Sequence, residues 1–251
     1  MIYNKDGLDF LKELDSNSID LVLTDPPYQI SRATGMQKSR DEETGLEKFR
    51  LQTQFGEWDE GFEVQELESF IKEIYRVLKK GGTFICFYDL WKFNIVANIC
   101  KKEKFKQLRF IEWLKTNPVP VNSKINYLTN SREIAITCVK GGKPTFNSEY
   151  NNGIYEYAIY QGKKIGNVKE RIHPTQKPID LFRELIRVHS LSGDIVIDPF
   201  SGSGTTAIAA ELENRRYGAA EISTEYYDKS IERIKTFYPD MYAKIQSDEE
   251  E

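Results

Sequence analysis

Residues suited to metal or thiol chemistry are scarce in this chain of 251 residues, which has only three cysteines and two histidines. Cys86, Cys100 and Cys138 lack the short spacings of metal ligands, so we predict no metal site and interpret them as reduced core thiols of a cytoplasmic protein. No apolar run approaches the ~18 residues that a membrane span requires, and no signal peptide opens the chain, so we expect no membrane contact.

Positive charge is concentrated in the middle of the chain, although the whole is acidic with a net charge of −4. Residues 101–189 contain 17 Lys and Arg against 8 Asp and Glu, whereas the remainder contains 18 against 31. A basic segment in an acidic chain suggests a surface that faces a polyanion. An ordinary solvated surface is the alternative interpretation of the same count.

Strand and helix patterns alternate along the chain, which predicts an α/β fold with a parallel sheet covered by helices. We treat residues 1–251 as a single domain. The predicted strands are 19–24, 83–88, 109–115, 132–139, 194–197 and 217–222. The predicted helices are 8–14, 63–80, 91–103, 178–191, 205–213 and 224–237, and Gly81 and Gly82 are expected to end the second of them.

Three segments fall outside this alternation. Residues 29–61 are polar and poorly periodic, and a connection of this length is usually functional or mobile, so we predict a mobile loop near the site described next. Residues 140–177 are rich in Gly, Asn, Lys and Tyr and are interpreted as an insertion. Residues 246–251 are acidic and are predicted to form a disordered tail.

The most informative motif is Asp25-Pro26-Pro27-Tyr28, which follows a predicted buried strand. Neither proline can continue a sheet ladder, so both stiffen the chain where the strand ends. The turn would present a carboxylate, a proline carbonyl and a flat ring, which are the groups needed to hold a planar amine by its edge and its face. The plainer alternative is that Asp25 merely caps a turn.

A second motif, residues 195–206, indicates a strand, a glycine turn and a helix start. Gly202 and Gly204 would let backbone amides approach a ligand, and the helix N-terminus favours a negative group. Ala207 stands where a dinucleotide fingerprint requires its third glycine, and the lysine of a phosphate loop is missing, which argues against NAD and ATP. Glu221 ends the next predicted strand, 17 positions after Gly204, where an acid would meet ribose hydroxyls. The pattern suits a nucleoside that bears a carboxylate, such as S-adenosylmethionine.

Together the two motifs resemble those of the amino-methyltransferases that modify exocyclic amines of DNA bases. Their order, with the catalytic motif first and the cofactor motif last, resembles the permuted β group of that family. Residues 4–7, 55–59, 113–118 and 173–178 resemble further segments of the group, and the likeness spans residues 2–237. It implies a doubly wound, Rossmann-like methyltransferase fold with a mainly parallel seven-stranded sheet, and S-adenosylmethionine as methyl donor.

The resemblance also implies roles for individual residues. The catalytic residues would be Asp25, Pro26, Pro27 and Tyr28. The cofactor-binding residues would be Asp6, Gly7, Asp25, His173, Thr175, Gln176, Lys177, Asp198, Pro199, Phe200, Gly202, Ser203, Gly204, Thr205, Thr206 and Glu221. For His173 we favour a structural or cofactor-loop role over that of a general base.

Residues 116–172 occupy the position of the target-recognition region in this group. The basic middle of the chain would bind DNA phosphates, and this makes binding salt-dependent. The candidate DNA-binding residues are Lys115, Lys124, Arg132, Lys163, Lys164 and Arg171.

The resemblance predicts an adenine-specific enzyme that methylates the exocyclic N6 within particular sequences of double-stranded DNA, by direct in-line attack on a flipped-out base. Two alternatives stay open: methylation of cytosine N4, and a catalytically silent module that binds DNA or cofactor. Asp25 favours adenine, because the cytosine enzymes of the family more often have Ser at this position. We leave open whether the protein forms a homodimer and whether a cognate restriction endonuclease accompanies it.

Overall fold

The computed structural model describes residues 1–27, 37–40, 47–50, 64–118, 129–173 and 175–249, with the backbone alone in 37–40, 47–50 and 248–249. Two predicted site residues, Tyr28 and Lys124, lie outside the described residues. The chain divides into two compact units. One unit comprises Met1–Pro26 and Val64–Glu251, and the other comprises Pro27–Glu63.

The strands and helices alternate through most of the chain, as the sequence predicts. The strands are β1 (Ile2–Asn4), β2 (Ile19–Thr24), β3 (Gln37–Arg40), β4 (Glu47–Arg50), β5 (Leu78–Tyr88), β6 (Lys106–Lys115), β7 (Arg132–Val139), β8 (Ile154–Tyr157), β9 (Lys164–Ile165), β10 (Val168–Lys169), β11 (Ile195–Asp198) and β12 (Arg216–Glu221). The helices are α1 (Gly7–Glu13), α2 (Val64–Val77), α3 (Phe93–Lys102), α4 (Ile179–His189), α5 (Thr205–Leu212), α6 (Thr224–Phe237) and α7 (Pro239–Glu249). No helix within the described ranges is long and apolar enough to cross a membrane.

The larger unit is built on an eight-stranded sheet with the order β1-β12-β11-β2-β5-β7-β6-β8. Neighbouring strands run parallel except where β7 pairs with β5 and β6. The central strands β2 and β5 contain continuous buried apolar runs, residues 21–23 and 84–87, which is typical of strands covered on both faces. The predicted α/β fold with a mainly parallel sheet is confirmed.

Helices cover both faces of this sheet. On one face, Leu23 of β2 and Phe87 of β5 belong to a core that includes Leu185 of α4 and Ala209 of α5. Alternation along β5 directs Phe84 to the opposite face. There its ring lies 5.7 Å from that of Phe105, which in turn contacts Tyr75 of α2 edge-on at 5.0 Å. The sheet is therefore doubly wound, as expected.

The sheet has eight strands instead of the seven that we expected. Two of its strands, β1 and β8, are not among the six that we located in the sequence. Strand β8 lies within residues 116–172, and its Tyr155 is buried in the core. The indole of Trp113 also donates a hydrogen bond of 2.8 Å to the Tyr157 carbonyl. Part of the predicted insertion therefore belongs to the main sheet, because it contributes an aromatic side chain that the core buries.

The boundary between α2 and β5 also differs from the prediction. The helix ends at Val77, and β5 begins at Leu78, so Gly81 and Gly82 lie in a strand and do not end a helix. Leu78 is fully buried and pairs with Ile19 of β2. Gly81 has φ +89°, which fits the irregular register between β5 and β2 at this point.

The smaller unit contains two short strands where a mobile loop is predicted. The strands β3 and β4 pair antiparallel, with Gln37 opposite Arg50 and Arg40 opposite Glu47. The rest of residues 29–61 lies outside the described residues, so its mobility stays a prediction.

Part of the predicted disordered tail is helical, because α7 continues through Glu249 and so includes residues 246–249. Residues 250 and 251 lie outside the described residues. Pro239 occupies the first position of this helix, where proline is well tolerated. Met241 and Ile245 are buried in a cluster with Ile234 of α6 and Ile208 of α5. This apolar contact holds the helix against the rest of the unit and outweighs the acidic composition from which we predicted disorder.

Replacing Ile245 with alanine tests whether α7 is docked in solution. We expect Ile245→Ala to lower the free energy of unfolding by about 2–4 kcal/mol, because it leaves a cavity among buried apolar groups. Urea unfolding followed by circular dichroism measures this loss. Gln246→Ala changes an exposed neighbour and serves as the matched control, with a change within about 0.5 kcal/mol. Equal effects of the two substitutions would contradict a docked helix.

Candidate active site

The two motifs singled out in the sequence meet at one edge of the sheet. Strands β2 and β11 are parallel neighbours, with Leu21 opposite Val196 and Val22 opposite Ile197. Their carboxyl ends therefore lie side by side, with Asp25 just beyond β2 and Asp198 at the end of β11. Both turns therefore share this edge, which is the usual position of ligand sites in open α/β sheets.

Asp198 organises this edge from within the protein. Its Oδ1 accepts hydrogen bonds from the Thr24 hydroxyl at 2.6 Å and from the Phe200 amide at 3.0 Å, and its Oδ2 accepts one from the Thr206 hydroxyl at 2.6 Å. Burial raises the pKa of Asp198 to about 6, although Thr206 and Thr24 act in the opposite direction. The carboxylate thus joins β2, the glycine turn and α5, while direct contact with a cofactor stays a prediction.

The glycine turn has the backbone that its sequence suggests. Gly202 has φ +50° and Gly204, the N-cap of α5, has φ +76°, so both occupy the left-handed region that favours glycine. Two of the amides that we expected to face a ligand bond within the protein, since Gly202 donates to the Glu221 carboxylate at 2.7 Å and Gly204 to the Ser201 carbonyl at 2.8 Å. The turn is therefore held in shape by one hydrogen bond within its own backbone and by one to the side chain of Glu221.

Side chains from beside the turn brace it further. The hydroxyls of Ser203 and Thr205 are 3.0 Å apart. The buried Arg233 of α6 donates from Nη1 to the Ser203 carbonyl at 2.6 Å. Arg233 gave no functional signal in the sequence, because it lies in an ordinary amphipathic helix pattern.

Glu221 ends β12, the neighbour of β11, as its spacing predicts. Its carboxylate accepts hydrogen bonds from Gly202 and, at 2.9 Å, from the Ser223 amide. Burial raises the pKa of Glu221, and these two amides oppose the rise. Glu221 therefore lies at the rim of the glycine turn, where the ribose of a bound nucleoside would lie. Its contact with ribose hydroxyls stays a prediction.

The N-terminal segment packs against the glycine turn. A Cβ added to Gly7 would lie 2.2 Å from the Pro199 carbonyl oxygen, so only glycine permits this approach. Asp6 caps α1, its Oδ1 accepting from the amides of Leu8 and Asp9 at 2.9 and 3.0 Å. Capping explains Asp6 without a ligand, and its predicted position facing the adenine ring of the cofactor stays a prediction.

Phe200 lies on the same side of the turn, with its ring 4.5 Å from that of Phe70 in α2. This aromatic pair connects the glycine turn to helix α2.

The segment 173–177 has two internal braces. Thr175 Oγ1 lies 2.9 Å from His173 Nδ1, and the His173 ring packs 4.5 Å from that of Tyr226. Gln176 is buried, where it accepts from the Ile172 amide at 3.0 Å and donates to the Glu170 carbonyl at 3.3 Å. These contacts agree with a structural role for His173 and Gln176.

The environment of His173 also disfavours a role as a charged acid. Burial first, and then the positive charges of Lys177 and Lys229, lower the pKa of His173 to about 4. The imidazole is therefore neutral near pH 7.

Asp25 forms an ion pair that the sequence analysis did not predict. Its Oδ2 accepts a hydrogen bond from Lys177 Nζ, which also lies 3.1 Å from the carboxylate of Glu133. Lys115 completes the group at 2.7 Å from Glu133. Sequence reasoning placed Lys177 among the cofactor contacts and missed Glu133. The available signal was an acid, Glu133, directly before the apolar residues 134–136 of strand β7.

Burial governs the charges of the two acids differently. The pKa of Asp25 is raised to about 6 by burial, although Lys177 lowers it. For Glu133, burial acts to raise the pKa, but Lys177 and Lys115 outweigh it and leave the pKa below its ordinary value. Asp25 thus lies near the limit at which a carboxylate stays ionised at neutral pH.

The predicted DNA-binding residues separate into different environments. Lys115 is buried against Glu133, which argues against phosphate binding, because its ammonium already has an acidic partner. Arg132 is exposed and pairs with Glu112 at 2.5 Å. A surface cleft of about 400 Å³ around β9 and β10 is lined by Gln161, Gly162, Lys163, Lys164, Lys169 and Arg171. Three of the candidates therefore lie together, joined by Lys169, which the sequence analysis omitted.

Comparisons with known proteins agree with this architecture. The sequence model of the DNA methylase family matches residues 19–232. The chain is 30% identical over 248 residues to the type II methyltransferase M2.DpnII of Streptococcus pneumoniae, covering 94% of this chain and 89% of that protein. It is also 30% identical over 250 residues to the type II methyltransferase M2.MboI of Moraxella bovis, covering 95% and 88%.

Solved structures show the same fold. The M1.HpyAVI–SAM complex superposes with a TM-score of 0.66 at 23% identity, covering 93% of this chain and 98% of that chain. The PvuII DNA methyltransferase (cytosine-N4-specific) superposes with a TM-score of 0.71 at 20% identity, covering 92% and 85%.

The chain therefore belongs to the DNA methylase family, whose members are of the N6 and N4 amino-methyltransferase type. This membership confirms the predicted class of enzyme, a DNA methyltransferase that uses S-adenosylmethionine.

The contacts of Asp198 generate a prediction about stability. Thr206→Val keeps the shape of the side chain but removes a donor to a buried carboxylate, so we expect a loss of about 1–3 kcal/mol in the free energy of unfolding at pH 8. The loss should be smaller at pH 5, where Asp198, with its pKa of about 6, is mostly protonated. Urea unfolding at both pH values measures it.

The matched control is Thr224→Val, whose hydroxyl bonds to the exposed Asn4. This substitution should change stability little at either pH. A loss at Thr206 that does not depend on pH would mean that the threonine acts through packing and not through Asp198.

Proposed function

We propose that the protein transfers a methyl group from S-adenosylmethionine to the exocyclic N6 of adenine at a specific sequence in double-stranded DNA. One observation supports this above the others. Asp25 Oδ1 is buried and has no hydrogen-bond partner among the residues that the structure describes. A buried acceptor without a donor is costly, and an N–H group of a bound amine would satisfy it.

The chemistry explains why an acceptor is needed. The exocyclic nitrogen of adenine is a poor nucleophile, since its lone pair is delocalised into the ring. Hydrogen bonds from its two N–H groups to Asp25 and to the Pro26 carbonyl would draw the nitrogen toward a tetrahedral shape. Positive charge develops on this nitrogen only as the methyl group arrives, so both acceptors favour the transition state over the ground state.

The transfer balances without a covalent enzyme intermediate. The nitrogen lone pair forms the new N–C bond, and the electrons of the broken S–C bond remain on sulfur. The methylated nitrogen then loses one proton, which the Asp25 carboxylate can accept and pass to solvent. Bound S-adenosylmethionine supplies an electrophilic methyl group on a sulfonium that is already a good leaving group.

The residues at the carboxyl edge fit this cofactor. Gly202 and Gly204 keep the turn free of side chains, and Glu221 at its rim would accept hydrogen bonds from ribose hydroxyls. Gly7 and Pro199 bring the N-terminal segment against the same turn. We assign the remaining predicted cofactor residues to the support of this pocket: Asp6, His173, Thr175, Gln176, Asp198, Phe200, Ser203, Thr205 and Thr206.

DNA binding is assigned to the basic cleft of β9 and β10. Its lysines and Arg171 would neutralise phosphates, while residues 116–172 would read the target sequence. The base must leave the duplex to reach Asp25, and Tyr28 would stack on its face. We also propose a cytoplasmic location, in keeping with three free, buried cysteines, and we retain the homodimer and the cognate endonuclease as open partners.

Methylation of cytosine N4 is the second candidate. Cytosine also presents an amine beside a ring nitrogen, and the PvuII enzyme described as cytosine-N4-specific has the same fold. Asp25 favours adenine over cytosine as the substrate base. The cytosine enzymes of the family that the motif resembles more often have serine at this position.

Incubation with labelled S-adenosylmethionine and DNA of varied sequence, followed by nucleoside analysis, tests the proposal. We expect label in N6-methyladenine. Label in N4-methylcytosine would favour the second candidate, and no label in any nucleoside would favour the catalytically silent module.

Substitution of Asp25 separates catalysis from binding. We expect Asp25→Ala to reduce the rate of methyl transfer by about 100-fold or more, because the amine loses its charged acceptor. Equilibrium dialysis with labelled cofactor should show that cofactor binding persists, because Asp25 is only one of the predicted cofactor contacts and the glycine turn and Glu221 are unchanged. Unchanged transfer would show that the acceptor is another group.

Charge removal in the basic cleft tests the DNA surface. We expect the double substitution Lys163→Ala, Lys164→Ala to weaken DNA binding and to reduce the slope of log Kd against log salt by about one for each phosphate that is no longer neutralised. Fluorescence anisotropy at several salt concentrations measures the slope. Lys101→Ala, an exposed change in α3, is the control. Equal slopes for the two variants would place the phosphate contacts elsewhere.

A further inference from the structure

A line of four alternating charges ends at the candidate catalytic carboxylate. It runs from Lys115 in β6 to Glu133 in β7, then to Lys177 just before α4, and finally to Asp25 after β2. The side chain of Lys177 is only 4% exposed, and those of Glu133 and Asp25 are 25% and 20% exposed. Four segments distant in the sequence contribute one member each, so the arrangement exists only in the folded chain.

Burial gives this arrangement of charges an unfavourable contribution to the free energy of folding. Removing charges from water costs several kcal/mol per ion, and apolar side chains of similar volume would often be at least as stable. The lysine head of Lys177 also lies 5.4 Å from the centre of the Phe87 ring, a further favourable contact. A stability role alone accounts poorly for a lysine shared between two acids at the edge where the methyl donor binds.

The two oxygens of Asp25 have different environments. Oδ2 accepts the hydrogen bond from Lys177, whereas Oδ1 is buried without a partner among the described residues. A carboxylate held through one oxygen cannot rotate freely. The other oxygen therefore keeps a constant direction, which is what an acceptor for a substrate N–H requires.

We propose that Lys177 is a positioning residue, which keeps the Asp25 carboxylate ionised and holds Oδ2 so that Oδ1 faces the substrate amine. Glu133 orients Lys177, and Lys115 balances the charge of Glu133. This assignment moves Lys177 from the cofactor contacts to the catalytic carboxylate. It rests on the proposed function, because it presupposes that Asp25 accepts a hydrogen bond from the amine.

Other charged or titratable groups also face this pair. Glu133 and Asp198 both raise the pKa of Asp25, as does burial, which is the largest influence, while Lys177 lowers it. Cys86 of β5 lies within electrostatic reach of Asp25, and burial raises the pKa of that thiol. His173, near Lys177, is neutral at pH 7.

Removal of either neighbour should therefore shift the ionisation of Asp25 in a known direction. Without Lys177 the pKa of Asp25 rises, and without Glu133 it falls, because a positive charge favours the carboxylate and a negative charge disfavours it.

The test is the pH dependence of single-turnover methyl transfer. In the wild type the rate should rise with pH through about 6, as Asp25 ionises. In Lys177→Met the midpoint should move upward by about one unit or more, so that the rate at pH 7 falls about twofold or more below the wild type and recovers as pH rises. Lys177→Arg should restore most of the rate. In Glu133→Gln the midpoint should move downward.

Lys79→Met is the matched control. Lys79 pairs at 2.8 Å with Asp20, so it repeats a lysine–aspartate pair beside the same strand β2, at its amino end. The midpoint of the pH–rate profile of Lys79→Met should equal that of the wild type. A purely structural role for Lys177 predicts a rate reduced equally at every pH, and an unmoved midpoint in Lys177→Met would overturn the proposal.

A second measurement does not depend on activity. Infrared difference spectra at pH 7 should show a protonated carboxyl band in Lys177→Met that is absent from the wild type and from the double variant Lys177→Met, Asp25→Asn. If no band appears, Lys177 does not keep Asp25 ionised and the proposal fails. If the band appears but the wild type methylates no base, the proposed function fails and the electrostatic assignment stands.

Discussion

The candidate site depends on the parallel pairing of β2 with β11. This pairing places Asp25 and Asp198, 173 positions apart in the chain, beyond the ends of adjacent strands. The Asp198 carboxylate then joins the two strand ends and α5 through the hydroxyls of Thr24 and Thr206. Because these bonds are buried and short, a shift of either strand would leave an unsatisfied carboxylate in the core. The glycine turn and the candidate catalytic carboxylate are thus held at the ends of two strands that these hydrogen bonds join.

Buried or partly buried charged side chains support both turns of this site. Arg233 supports the glycine turn through the Ser203 carbonyl, and Glu221 holds the turn from the β12 side. Lys177 performs a corresponding function for Asp25. Each turn is therefore held by a charged side chain that forms hydrogen bonds within the protein. Such support is what an alignment-dependent reaction requires, since transfer is fast only when donor and acceptor are already in line.

Much of this could be predicted from local patterns. The buried strand before Asp25, the glycines at 202 and 204 and the acid at 221 all have signatures that act over a few residues, and α6 was located at its observed bounds, 224–237. The errors arose where tertiary contacts overrode local composition. Leu78 belongs to β5 because it is buried beside β2, and residues 246–249 are helical because Ile245 is buried. Glu133 was missed because a single acid in a strand has no local signature of its partner.

The sequence by itself determined the class of the protein. Asp25-Pro26-Pro27-Tyr28 and residues 198–206 restrict the backbone through proline and glycine, and these restrictions need no knowledge of distant residues. Only the tertiary structure decided how the charges pair. Lys115, which looked like a DNA contact, is buried beside Glu133, and Lys177, which looked like a cofactor contact, binds Asp25. The physical reason is that ion pairs form across space at about 3 Å, so the partner of a charge depends on strand order and register, which no local pattern of residues contains.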